Sequence, residues 1–193
     1  MQTLDDTVIL QQKATADKVL KALEILDPTC ILAGGAPRDW YMIKPAKDLD
    51  FFVHLRNDFS LEQIKTSLEG VLGSTVTQVG NSETFHYKLN PNILQVFECR
   101  IEGWPVQIVI CSKPTWNLLD SFAFNVCKVW YKYGRVNTTQ SFLYALEHKV
   151  LIKTGPLYAS TLAYEQRIRE KFKTFTYYPS KEHYLAVISN RIS

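Results

Sequence analysis

The stretch from Ile31 to Val53, ILAGGAPRDWYMIKPAKDLDFFV, constrains more than any other what this chain can fold into. An apolar run, CILAG, reads as a short buried strand that ends at Gly34-Gly35. APRDWYMI then reads as a short helix with Pro37 in its first turn, broken by Lys44-Pro45, and DLDFFVHL as the next strand. On a strand, residues i and i+2 share a face, so Asp48 and Asp50 project together, about 6.6 Å apart along the chain at about 3.3 Å per residue. Like charges so placed repel unless a cation lies between them. Flanked by Leu49, Phe51, Phe52 and Val53, these carboxylates are fixed oxygen ligands, which suits Mg²⁺ when substrate phosphates complete its shell. Gly34-Gly35 leaves backbone N–H groups open to an anion and lets a phosphate approach closely. Arg38 either forks onto a phosphate or pairs with an acid. Each half also has a structural reading, since Asp-x-Asp pairs occur at turns and surfaces and a Gly-Gly pair forms simple turns. The combination is what points to chemistry.

At 193 residues, 46% of them apolar, the chain suits one domain with a short appendage and a substantial core. No window approaches the ~20 uninterrupted apolar residues of a membrane span. The N-terminus, MQTLDDTVILQQKATADK, lacks the basic start and apolar stretch of a signal peptide, so a soluble cytoplasmic protein is expected. Cys30, Cys99, Cys111 and Cys127 show no ligand spacing and read as reduced, buried thiols. Net charge is +3, but residues 1–127 carry 11 Lys/Arg against 15 Asp/Glu (−4), and residues 128–193 carry 11 against 4 (+7). The basic back half reads equally as a source of phosphate contacts or as a solvated helical face.

Residues 5–26 have helical apolar spacing, stopped by Asp27-Pro28. Asp58-Phe59-Ser60 opens a second helix through Leu61, Ile64 and Leu68, ended by Gly70 to Gly73. Residues 75–111 read as a β-meander of TVTQVG, TFHYKL, NILQVFECRI and PVQIVI, with turns at 90–92 and 102–105. SKPTWNLLD suggests a helix capped by Ser112, and FAFNVCKVWY reads as helix or strand. Tyr133-Gly134-Arg135 is a turn, QSFLYALEHKVLIK a helix running into a strand, and STLAYEQRIREKFKTF a basic final helix. The expected class is α+β: a mixed, mainly antiparallel sheet with flanking helices in a domain spanning 1–155, plus a short basic helical C-terminal extension over 156–193.

The order strand, Gly-Gly, x-x-Arg-Asp, helix, turn, Asp-x-Asp on the next strand resembles the first motif of the polymerase-β superfamily of nucleotidyltransferases. The similarity is to the branch of tRNA CCA-adding enzymes and bacterial poly(A) polymerases. SFAFNVCKVWYKYGRV is similar to that branch's second motif, and FLYALEHKVLIKTG to the helix and strand that follow it. The likeness covers roughly residues 28–155, a catalytic head without the large helical body that holds tRNA. Compact heads of this sort also occur in phages and mobile elements. The resemblance implies a polymerase-β-like fold and Mg²⁺ (or Mn²⁺)-dependent transfer of a nucleotide from an NTP such as ATP to an acceptor hydroxyl. RNA, including a tRNA 3′ end, is the leading acceptor, with the basic C-terminal part as its contact. Asp48 and Asp50 match the metal-bridging pair. Gly34, Gly35 and Arg38 match the loop and helix facing the triphosphate, with Asp39 as the accompanying acid; Lys44 or Lys47 would add charge there.

Two positions depart from that pattern. Where the family has a third metal-binding carboxylate on a neighbouring strand, this chain has Gln107, whose amide oxygen brings no charge. Glu98 and Glu102 are the acids near enough in sequence to substitute. Where the second motif carries an aspartate, this chain has Ala123. These departures raise an alternative: a catalytically impaired relative that binds a nucleotide, nucleic acid or protein partner. His54 and His86 read as surface or supporting groups. Trp40, Tyr41, Trp116, Trp130 and Tyr131 read as core or cleft wall, and Arg167, Arg169, Lys171 and Lys173 as a solvated helix face or an RNA groove.

Overall fold

The computed structural model describes residues 4–55, 59–79, 91–115, 118–155 and 162–192. Helix α1 (Leu4–Leu23) has acids in its first turn and Lys21 in its last, as the helix dipole favours. Its buried residues Ile9, Gln12, Ala16, Val19, Leu20 and Leu23 recur at spacings of three and four and form one face. The helix ends at Leu23 rather than at residue 26, because 24–27 tighten into a turn. There the Asp27 carboxylate accepts bonds from the N–H of Thr29 (2.8 Å), the Thr29 hydroxyl (2.6 Å) and the N–H of His54 (2.8 Å).

Strand β1 (Ile31–Ala33) leads through Gly34 into helix α2 (Gly35–Tyr41), and β2 (Leu49–His54) follows. Helix α3 (Leu61–Leu72) starts with a reciprocal cap between Ser60 and Gln63. It runs through Gly70 and stops at Gly73, which is left-handed (φ 62°). Strands β3 (Thr77–Gln78), β4 (Ile93–Ile101) and β5 (Trp104–Cys111) form the meander; the expected TFHYKL strand lies outside the described residues. Glu102 and Gly103, both at positive φ, make the two-residue turn between β4 and β5, so Trp104 and Pro105 belong to the strand.

No α-helix appears among the described residues of the segment 112–120, where one is expected. Its described part instead has the Thr115 hydroxyl donating to the carbonyl of Thr29 (2.5 Å) and a 3₁₀ turn at Leu119–Ser121. The run from 122 to 131 resolves into a 3₁₀ turn (Asn125–Cys127) and strand β6 (Val129–Lys132). Strand β7 (Arg135–Thr138), helix α4 (Gln140–Glu147) and strand β8 (Val150–Ile152) follow, and then α5 (Leu162–Lys171). Helix α5 is not the last element, because β9 (Thr176–Tyr178) and α6 (Lys181–Ile192) come after it. Parallel pairing of β8 with β9, and ion pairs from Lys153 to Glu165 and from Asp39 to Lys171, cross the expected 155/156 division.

The main sheet has the order β3-β4-β5-β2-β1-β6-β7, antiparallel throughout except for β2–β5, so the expected mixed, mainly antiparallel sheet forms. Along β2 the residues alternate. Leu49, Phe51 and Val53 enter the core under α1 and α3, whereas Phe52 joins the opposite face. Cys30, Cys99, Cys111 and Cys127 are free thiols, and burial pushes those of Cys30 and Cys111 up to about 12. No described helix is long and apolar enough to cross a membrane.

Buried Gln12 brackets the segment that leads into β2. Its amide donates to the carbonyl of Ala46 (2.8 Å) and accepts from the N–H of Ala46 (2.9 Å) and the indole N–H of Trp40 (2.9 Å). Gln12→Leu keeps the volume but leaves three buried groups unpaired, and is expected to cost about 2–4 kcal/mol in urea unfolding. The exposed neighbour substitution Gln11→Leu should change stability by less than about 0.5 kcal/mol. Equal effects at the two positions would contradict the bracket.

Candidate active site

The sheet face opposite α1 and α3 floors a cavity of about 440 Å³. All eight residues singled out from the sequence, Gly34, Gly35, Arg38, Asp39, Asp48, Asp50, Gln107 and Ala123, line it. Lys47 also reaches the cavity, while Lys44 does not. Asp48 immediately precedes β2 and Asp50 is its second residue. Parallel pairing sets Asp50 beside Gln107, and antiparallel pairing sets Gln107 beside Glu98. Side chains of paired residues share a face, so the three form one row across β2, β5 and β4.

Asp50 is the least comfortable group in this row. Its Oδ1 is sealed from solvent and has no hydrogen-bond partner among the described residues. Burial first, and the neighbouring Asp48 second, push its carboxyl up to about 8, against the opposing fields of Arg167 and Arg38. A hard divalent cation fits this donor set, because it takes oxygen ligands and removes both the desolvation cost and the like-charge repulsion. Among the described residues, no third carboxylate, histidine or thiol joins the pair in a metal-binding group.

Gly34 has φ 84° and ψ −114°, a conformation that a side chain would strain, and it turns the chain from β1 into α2. Arg38 and Asp39 are both buried. The Arg38 Nε donates to Asp39 (2.9 Å), its Nη1 contacts the Cys127 sulfur (3.5 Å), and its guanidinium lies over the ring of Phe172 (5.6 Å). Lys171 of α5 closes on the same aspartate, donating to both oxygens (2.8 and 2.6 Å). Burial and the nearby Arg38 both lower the Lys171 pKa, with Asp39 opposing them.

Tyr164, Arg167, Ile168 and Lys171 of α5 line the cavity together. Sequence reasoning left Arg167 and Lys171 between two readings and missed Tyr164. The signal for all three was their i, i+3, i+7 spacing, which puts them on one helical face. The remaining wall includes Leu118, Ser121 and Phe122. Of the aromatics named from sequence, Trp40 packs against Tyr131, and Tyr41 against Phe142. Trp130 joins the apolar cluster of the cavity-side face, and Trp116 and His86 lie outside the described residues. His54 packs at the far end of β2, its Nδ1 3.2 Å from the carbonyl of Cys111.

Two acids stood as substitutes for the charge missing at 107, and they separate. Glu102 is held by α1, accepting from the Thr15 hydroxyl (2.6 Å) and from Lys18, and it takes no part in the cavity. Glu98 does not line the cavity either, but it accepts a bond from the Gln107 amide nitrogen (2.7 Å). Ala123 is buried, and its carbonyl accepts from the N–H groups of Thr154 (2.9 Å) and Gly155 (3.2 Å). A Cβ on Gly155 would come within 2.7 Å of the Ala123 Cα, so only glycine lets this segment close behind Ala123.

No protein-family model matches the chain, and no curated protein matches it by sequence. Solved structures do match. A Thermotoga maritima CCA-adding enzyme complexed with tRNA aligns with a TM-score of 0.60 at 14% identity, over 91% of this chain and 42% of that one. A tRNA nucleotidyltransferase complexed with a primer tRNA and an incoming ATP analogue gives 0.54 at 17%, over 83% and 47%. A CCA-adding enzyme in complex with CTP gives 0.57 at 13%, over 90% and 43%. At these identities the likeness is one of fold, and the fold is the polymerase-β-like one expected. The chain spans less than half the length of these neighbours.

In metal-free protein the Asp50 carboxyl holds a proton that the unfolded chain releases between its ordinary 3.8 and about 8. The folded state binds more protons across that window, so stability falls as pH rises through it. Asp50→Asn removes the effect. In EDTA the variant is expected to melt above the wild type at about pH 9, by about 5 °C or more, with the gap closing towards about pH 5 and on adding Mg²⁺. A gap independent of pH would contradict the burial of this charge.

Proposed function

We propose that this chain is a nucleotidyltransferase that moves a nucleotide from an NTP to an acceptor hydroxyl, with Asp48 and Asp50 holding Mg²⁺ or Mn²⁺. One observation carries the reading. Asp50, beside Asp48, keeps a sealed and unpartnered oxygen on the floor of a cavity that Arg167 and Lys171 also line. When bound, the divalent cations polarise the α-phosphate and neutralise charge on the attacking and leaving oxygens.

The chain's own residues do the positioning. Leu49 and Phe51, fully buried, fix the strand so that the two carboxylates stay in place. Gly34 and Gly35 give a triphosphate close access to backbone at the start of α2. Arg167, Lys171 and Lys47 oppose the triphosphate charge, and Arg38 adds its field from behind while bracing Asp39. Residues 1–155 form the head, and the 156–193 extension completes it by lending α5 to the cavity. The favoured acceptor is an RNA 3′ hydroxyl, including that of tRNA. The tRNA in two fold neighbours and the +7 charge of residues 128–193 support that choice.

A second reading is favoured by Gln107, which lines the cavity without charge: a chain that binds a nucleotide, nucleic acid or protein partner without transferring anything. Incubation with each labelled NTP, Mg²⁺ or Mn²⁺ and bulk RNA separates the two. Label is expected on RNA, reduced on the order of 10³-fold in the double variant Asp48→Ala/Asp50→Ala. Transfer that survives the double substitution would sink the catalytic assignment. Tight NTP binding with no transfer under either metal would favour the second reading.

A further inference from the structure

We propose that Glu98 is a positioning residue for the metal site: it holds the Gln107 amide so that its oxygen, not its nitrogen, turns towards Asp48 and Asp50. This rests on the proposed assignment of those aspartates to a divalent cation. Strand β5 lies between β4 and β2, and the row Glu98, Gln107, Asp50 crosses them in register. Adjacent strands are about 4.8 Å apart, so Gln107, in the middle of the row, has Glu98 on one side and Asp50 on the other. An ionised carboxylate only accepts hydrogen bonds, so the amide end facing Glu98 must be the NH₂ group, 2.7 Å from the Glu98 Oε1.

The two ends of a planar amide diverge from one carbon. With the nitrogen drawn towards β4, the oxygen is left on the β2 side, where Asp50 Oδ1 is sealed and unpartnered. Without Glu98, the amide is free to flip and offer N–H donors to Asp50, satisfying that oxygen and competing with a cation. The pair thereby replaces one charged ligand by a neutral oxygen on β5 and a carboxylate one strand further out. Outer partners of this kind typically change metal affinity by about 10–100-fold.

The test is Mn²⁺ binding to the full chain, read from the loss of the free Mn²⁺ electron paramagnetic resonance signal, without substrate or turnover. Glu98→Ala is expected to weaken binding about tenfold. Glu98→Gln, which keeps an oxygen to accept from Gln107, should stay within about twofold of wild type. In a Gln107→Ala background, Glu98→Ala should have no further effect. Unchanged affinity in Glu98→Ala would overturn the proposal. So would equal losses in Glu98→Ala and Glu98→Gln, which would mean that Glu98 acts by charge alone. Asp50→Asn is the separate control: if it binds Mn²⁺ like the wild type, the metal assignment itself fails, whatever Glu98 does. Glu98 is exposed, so thermal melts of its variants should overlay the wild type and exclude unfolding as the cause.

Discussion

Asp50 occupies a position that a carboxylate would leave if its backbone allowed. Hydrogen-bonded strands flank it on both sides, with Phe51 paired to Leu32 of β1 and Asp50 itself to Gln107 of β5. Leu49, Phe51 and Val53, each wholly buried, anchor the alternate positions of the same strand. Burying such side chains contributes about 1.5–3 kcal/mol each, enough to offset the cost of holding one carboxylate beside another. The apolar half of β2 thus stabilises the strained polar half. The Asp-x-Asp pattern has meaning only because its intervening and following residues are what they are.

The supports of the site come from further away. Gln12 in the first helix holds Ala46, two residues before Asp48, through both backbone groups. Lys171, late in the chain, closes on Asp39, which in turn holds Arg38. Phe172, next to Lys171, stacks under the Arg38 guanidinium, so this cation is fixed by an acid on one side and a ring on another. Arg167, on the same helix, opposes the rise in the Asp50 pKa. Helix α5 therefore both walls the cavity and balances its charge, and removing it would leave Asp50 harder to ionise.

These distances explain what was legible in the sequence. Gly34, Gly35, Asp48 and Asp50 act through local geometry, a turn and a strand's two-residue alternation, so their grouping could be read directly. Gln107 lines the cavity because a strand has only two faces and its neighbours Val106 and Ile108 lie in the core. The 112–120 segment was misread because Leu118 and Leu119 are buried against the sheet rather than along a helical stripe. The choice between Glu98 and Glu102 was also beyond the sequence. It turns on the hairpin docking against Thr15 and Lys18, a contact spanning more than eighty residues. The roles of Tyr164, Arg167 and Lys171 depend on α5 folding back, which the β8–β9 pairing enforces across residues 152 to 176.

Charge in the cavity bears on how the proposed chemistry would be organised. Among the described residues its lining holds four cations, Lys47, Arg38, Arg167 and Lys171, and three acids, Asp39, Asp48 and Asp50, a formal balance of +1. A carboxylate at 107 would bring that balance to zero and strengthen the hold on a bare cation. With a neutral amide there, the cavity attracts polyanions more and free divalent ions less. Under the proposed function, metal and triphosphate therefore arrive best together, because the phosphate oxygens supply the negative charge that β5 does not. Ala123 acts in the same direction, since an aspartate there would take the balance a further unit down. Under the proposed function, the neutral residues at 107 and 123 thus leave phosphate attraction intact, and metal capture falls to Asp48, Asp50 and the Gln107 oxygen, assisted by the nucleotide itself.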